Sequence, residues 1–214
     1  MADSNQSDGC GCTGDSKRAE HDPAYRRALW IVVLLNLGFG ACEIVGGFIA
    51  DSQALKADAL DFIGDGTITF VGLIALGWAA AARARIALVQ GIFLMTLGLG
   101  VIGVAFWRAL TAVAPDADLM GGIGIIALVI NVASAFVLSR FREGDANVRA
   151  VWLFSRNDAL ANVAVIAAAG LVALTNSAWP DLAVAAVIAA LFLHSAFEIL
   201  RSARAELHQL ALAS

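Results

Sequence analysis

Six long apolar stretches divide this chain, at about 28–50, 55–80, 86–107, 119–139, 151–174 and 182–200. Each approaches the roughly 20 residues with which an α-helix crosses the hydrocarbon core of a bilayer. Lipid offers the backbone no hydrogen bonds, so such stretches must satisfy their own amides as helices. The connections are too short to hold an inserted soluble domain. The pattern therefore predicts an all-α membrane protein, with six transmembrane helices over 25–205. Segment 1–24 is rich in Gly, Ser and Asp, lacks apolar surface to bury, and is expected to be a disordered cytoplasmic tail. It has no apolar core of a cleavable signal peptide. Segment 206–214 is expected to be a short cytoplasmic stub.

Composition agrees: 60% of the 214 residues are hydrophobic and 15% charged, far from the balance of a soluble domain. Orientation follows from where Lys and Arg fall. Arg26, Arg27, Arg83, Arg85, Arg140, Arg142, Arg201 and Arg204 flank the spans on the side of the N terminus, whereas Arg108 is the clear basic residue at the opposite ends. Both termini are expected in the cytoplasm, with the protein integral to a bacterial inner membrane. The opposite loops are acidic, with Asp51, Asp116, Asp118 and Asp181. Nothing here suits a nucleic acid. In the tail, Cys10 and Cys12 stand near His21. On a reducing cytoplasmic side a disulfide is not expected, and the three side chains are candidates for capturing a soft metal ion.

Some motifs mislead. "GLGVIG" at 98–103 matches a dinucleotide-binding turn, but that motif acts only between a strand and a helix, and here it lies inside a span. Its glycines, with Gly38, Gly40, Gly46, Gly47 and "GGIG" at 121–124, are expected to let helices approach closely in lipid. His194 and Glu198 are read as structural, and Asn36 and Asn131 as donors of interhelical hydrogen bonds. Glu43, inside the first span, is a candidate to line a polar cavity.

The chemistry concentrates in "ALKADALDFIGDG" at 54–66, which places Asp58, Asp61 and Asp65 inside the second span. A carboxylate at mid-bilayer costs about 2.5–3.5 kcal/mol, so three would cost about 8–10 kcal/mol if all faced lipid at that depth. Their i, i+3, i+7 spacing stacks them on one helix face, which must meet water, cations or both. The fifth span, "VWLFSRNDALANVAVIAAAG", carries Asp158 and Asn162 four residues apart. At 1.5 Å per residue, both sets lie about 10–15 Å deep from opposite ends, so Asp61, Asp65 and Asp158 can meet near the midplane. Four readings apply: a structural hydrogen-bonded set, an intramembrane aspartyl-type enzyme, a proton path or cation channel, and a divalent-cation site. The Gly-x-Gly-Asp pattern of intramembrane aspartyl proteases is broken by Phe62. Oxygen ligands from two helices, with buried charge for a 2+ ion to cancel, fit the cation site best.

With "ADALDFIGD" in the second span and "SRNDALANVAV" in the fifth, the chain resembles the cation diffusion facilitator family of divalent-metal/proton antiporters. The resemblance covers 28 to about 205 and implies a six-helix bundle of that type. It implies metal ligands at Asp61 and Asp65, which take the family's paired positions on the second helix, and at Asp158 on the fifth. Phe154 stands where the family has His, and Asn162 is the candidate replacement ligand. Asp58 and Glu43 are candidates for the pathway or outer shell. The family's cytoplasmic metal-binding domain is not expected, so a homodimer would form through the membrane helices. The implied activity is export of a divalent cation in exchange for protons by alternating access. Zinc is favoured; cadmium, cobalt, manganese and iron are the other ions weighed, and no further cofactor is expected.

Overall fold

The computed structural model describes residues 23–75, 78–111, 113–139 and 146–212, with the side chains of 111 and 146–157 outside that description. Among the described residues the elements are α1 (Pro23–Ile49), α2 (Gln53–Ile74), α3 (Ala80–Thr111), α4 (Ala117–Ser139), α5 (Ala146–Thr175) and α6 (Trp179–Leu212), with no strand. Five carry windows long and apolar enough to cross a membrane; α2, interrupted by Lys56 and three aspartates, is not among them. The six expected spans thus each correspond to a helix, with shifted ends. α1 is described from Pro23 onward. α6 continues through the expected stub to Leu212. The expected tail lies, up to residue 22, outside the described residues.

The helices pack chiefly in pairs, α1 with α2, α4 with α5 and α3 with α6, and α2 also touches each of α3, α4, α5 and α6. The one helix without such a window is therefore the hub, which surrounds its carboxylates with neighbouring helices. Around its first half the core joins Ala54 and Leu55 to Met120 of α4, Val165 of α5 and Ile188 of α6. Farther along, Leu60 packs with Leu94 of α3 and Phe192 of α6.

Glycine makes these approaches possible, but only at some of its positions. A Cβ on Gly47 of α1 would stand 3.1 Å from the backbone nitrogen of Lys56, and one on Gly40 would stand 3.2 Å from the carbonyl oxygen of Ala59. Gly64 and Gly66, flanking Asp65, would carry a Cβ 2.8 Å from Phe192 and 2.7 Å from Leu37. Gly98 abuts Leu193, and Gly124 abuts Ile166. Four of the glycines expected at helix contacts, Gly38, Gly100, Gly103 and Gly122, instead have open space at the Cβ position. A glycine-rich span does not by itself say which of its faces meets a neighbour.

The end of the bundle at the α1–α2 turn is tied by polar groups. Ser52 caps α2, its Oγ accepting from the Leu55 amide at 3.1 Å and donating to Asp181 Oδ1 at 2.6 Å. Asp181, in the first turn of α6, also accepts from the amides of Gln53 at 2.8 Å and Ala54 at 3.0 Å. A carboxylate on the first turn of α2 satisfies N–H groups that have no helical partner and faces the positive end of the helix dipole. Asp51, in the left-handed region with φ 55°, forms ion pairs with Lys56, at 3.7 Å, and with Arg108. Lys56 also lies over the Phe48 ring, 4.7 Å from its centroid. Lys56 falls within a span by sequence, yet its charge reaches this polar end.

Candidate functional site

Two polar groupings occupy the interior, both built on α2. In the first, Asp61 and Asp65 stand one helical turn apart, and Asp158 of α5 comes within side-chain hydrogen-bonding range of both. All three are half-buried. The i, i+4 spacing presents two carboxyls on one face, and the small neighbours Gly64 and Gly66 let α6 and α1 close in on either side of Asp65. Asp61, Asp65 and Asp158 are thus brought together, as the spacing predicts. Among the described residues, no three His, Cys, Asp or Glu side chains already stand as a ready ligand set. The carboxyls contact one another in pairs, and an ion would have to draw their oxygens inward.

The second grouping lies one turn earlier on α2. Asp58, 1% exposed, accepts a hydrogen bond from Asn162 Nδ2 at 2.5 Å, and Asn162 Oδ1 accepts one from Asn131 Nδ2 at 2.8 Å. Glu43 of α1, also 1% exposed, lies beside Asp58. One chain of polar groups thus links α1, α2, α5 and α4. Asn131 makes an interhelical hydrogen bond as expected. Asn162, read from sequence as a ligand, has both ends of its amide engaged away from Asp61 and Asp65. The direction of the chain follows from chemistry: an ionised carboxylate only accepts, so Asn162 turns its NH₂ to Asp58 and its oxygen to the NH₂ of Asn131.

Other candidates stand apart. His194 and Glu198 are exposed on α6, and Glu198 pairs with Arg201 at 3.8 Å. Cys10, Cys12 and His21 lie outside the described residues, as do the side chains of Phe154 and Arg156. The part of Asp181 is not visible from sequence, where it reads only as one acid of a loop. Its place two residues into α6, after Trp179 and Pro180, is the available signal that it reaches a helix end.

Comparison with known proteins bears on the family of the bundle as a whole. Residues 29–208 match the family model described as the cation efflux transmembrane domain. The metal cation efflux system protein CzcD of Cupriavidus metallidurans is 27% identical over 195 residues, covering 86% of this chain and 62% of that protein. The zinc transporter ZitB of Escherichia coli is 28% identical over 206 residues, covering 90% of this chain and 65% of its own length. A cadmium, cobalt and zinc/H(+)-K(+) antiporter of Bacillus velezensis is 26% identical over 190 residues, covering 81% of this chain and 60% of that one. The chain therefore spans less than two thirds of the length of these relatives. The family match takes in nearly the whole bundle, including both helices that supply the aspartates, and on it the chain belongs to the cation efflux family, the cation diffusion facilitators.

Proposed function

We propose that this protein exports a divalent transition-metal cation from the cytoplasm in exchange for protons, with Asp61, Asp65 and Asp158 as ligands. The observation that carries the reading is the proximity of these three half-buried carboxyls from α2 and α5 inside a largely apolar bundle. Three adjacent carboxylates cannot all stay ionised there without cations, and a 2+ ion or protons meet that need in turn. Because a ligand must lose its proton to bind metal, metal and protons compete for the same oxygens. A site opened alternately to the two sides then exchanges one for the other, and a more alkaline cytoplasm drives the metal outward. Zinc is favoured among the ions, since two relatives are a zinc transporter, ZitB, and a cadmium, cobalt and zinc antiporter. Carboxylates alone also suit manganese or iron. Asn162 serves this site by fixing Asp58 and α5 relative to α2. The working unit is a homodimer joined through membrane helices, with both termini cytoplasmic in a bacterial inner membrane.

The test is metal-driven proton movement in proteoliposomes, with zinc, cadmium, cobalt or manganese added to wild type and to Asp65→Ala and Asp158→Ala. Proton flux that depends on metal, and falls at least about a hundredfold in either variant, is expected from the loss of one of three charged ligands. Full flux in a folded variant would sink the assignment.

A further inference from the structure

Glu43 is the least explained polar group of the bundle. Its side chain is 1% exposed, and both carboxyl oxygens are buried without a hydrogen-bond partner. Its nearest polar neighbour is Asp58, itself 1% exposed. Two ionised carboxylates side by side in a dry interior repel each other and lack solvation. The other groups that face them add no positive charge: Asp61 from α2, the neutral amides of Asn131 from α4 and Asn162 from α5, and Asp158 at longer range.

Two occupants can relieve this arrangement, a metal cation or a proton. A metal ion needs acceptor atoms turned towards it, yet Asn162 turns its NH₂ donor to Asp58 and spends its oxygen on Asn131. No third carboxylate, His or Cys completes a ligand set among the described residues. The geometry suits an anion with a donor behind it and an acid in front of it. A single O–H is what Glu43 lacks, and it would turn a repulsive contact into a short charge-assisted hydrogen bond.

We propose that Glu43 and Asp58 form a proton-binding site, separate from the Asp61, Asp65 and Asp158 cluster, in which one proton bridges the two carboxyl groups and stays in place when metal is bound. Burial sets the two sites apart. Glu43 and Asp58 are each 1% exposed, whereas the three aspartates of the cluster are half-buried. The bridging proton leaves one negative charge on the pair, held by the Asn162 N–H, and closes the polar chain from α1 to α4. The site itself stands without the transport reading; only the statement about bound metal rests on it.

The test is infrared spectroscopy of the full chain in lipid vesicles saturated with zinc, a condition that strips protons from metal-binding carboxyls. The expected result is a carbonyl-stretching band of a protonated carboxyl that persists with zinc and is lost in both Glu43→Gln and Asp58→Asn. Carboxyl-¹³C labelling of Glu and of Asp in turn, on wild type, gives the same reading without a variant, and a shift of that band with either label supports the pair. Glu43 is the one glutamate buried among the described residues. Absence of the band in wild type, or a band that survives both substitutions and shifts with neither label, overturns the proposal. Occupation by an alkali ion belongs to that outcome, because both carboxyls would then be ionised. If zinc fails to bind while a band that shifts with labelled glutamate is present in zinc-free protein, the transport reading fails and the proton site stands.

Discussion

At the level of single side chains, the bundle spends its polar groups in two ways. Asp181 and Ser52 complete the end of a helix, and the interior aspartates Asp61, Asp65 and Asp158 have the proposed role of binding ions. The first role predicts a stability effect. Asp181→Ala leaves the Gln53 and Ala54 amides and the Ser52 hydroxyl without their carboxylate, and a loss of about 3 kcal/mol is expected for hydrogen bonds to a charged group. Asp181→Asn keeps the oxygen that accepts from Ser52 and Ala54 but puts an NH₂ donor where Oδ2 accepts from the Gln53 amide and removes the charge at the α2 N terminus, and is expected to cost about 2 kcal/mol. Denaturation in mixed micelles measures both, and equal losses would argue against a part for the retained oxygen. The second role predicts a pH effect of definite sign. If Asp61, Asp65 and Asp158 hold the metal as proposed, protons compete with it for the same oxygens and zinc affinity should fall as pH is lowered. Equilibrium zinc binding at several pH values tests this, and affinity that stays flat or rises on acidification would remove the competition on which exchange depends.

Whole helices show where sequence reading succeeds and where it stops. Apolar length alone located six helices, and the spacing of Asp58, Asp61 and Asp65 put them on one face of α2. Helical periodicity is a local property, and these were local questions. The partner of each polar group was not, because it depends on which helix lies alongside. Asn162 was therefore read as a ligand from its distance to Asp158 in sequence, while the fold brings it between Asp58 and Asn131. The glycines make the same point. Gly47 and Gly38 belong to one helix and look alike in sequence, yet a Cβ on Gly47 would press on Lys56 backbone and Leu55, and one on Gly38 would meet nothing. Gly47→Ala is expected to push α1 from α2 and cost about 1–3 kcal/mol as overpacking, and Gly38→Ala is expected to be neutral or slightly stabilising because alanine is the better helix former. Thermal unfolding of the two variants in detergent distinguishes the positions, and equal losses would count against the α1–α2 approach.

In the assembled bundle, the polar chain divides the helices into two groups. Asp58, Asn162 and Asn131 bind α2, α5 and α4 together through hydrogen bonds that are costly to separate in a dry interior, and α1 packs on α2. Helices α3 and α6 pack mainly on each other. Around Leu60, Leu94 and Phe192 they meet α2 through apolar side chains, which can slide without breaking a hydrogen bond. Their firm attachment is at one end, where Asp181 holds the start of α2 and Arg108 of α3 pairs with Asp51. A bundle tied at one end and greased at the other has a preferred motion, a swing of α3 and α6 about the tied end, and that motion would alter access to Asp61 and Asp65 beside Phe192. Spin labels at Ile49 and Trp179, both exposed at the tied end, should keep their separation when zinc is added. Labels at Ile74 and Arg204, exposed towards the other end, should change theirs. A distance change confined to the first pair would place the hinge at the wrong end, and access would then have to be controlled within the four-helix group of α1, α2, α4 and α5.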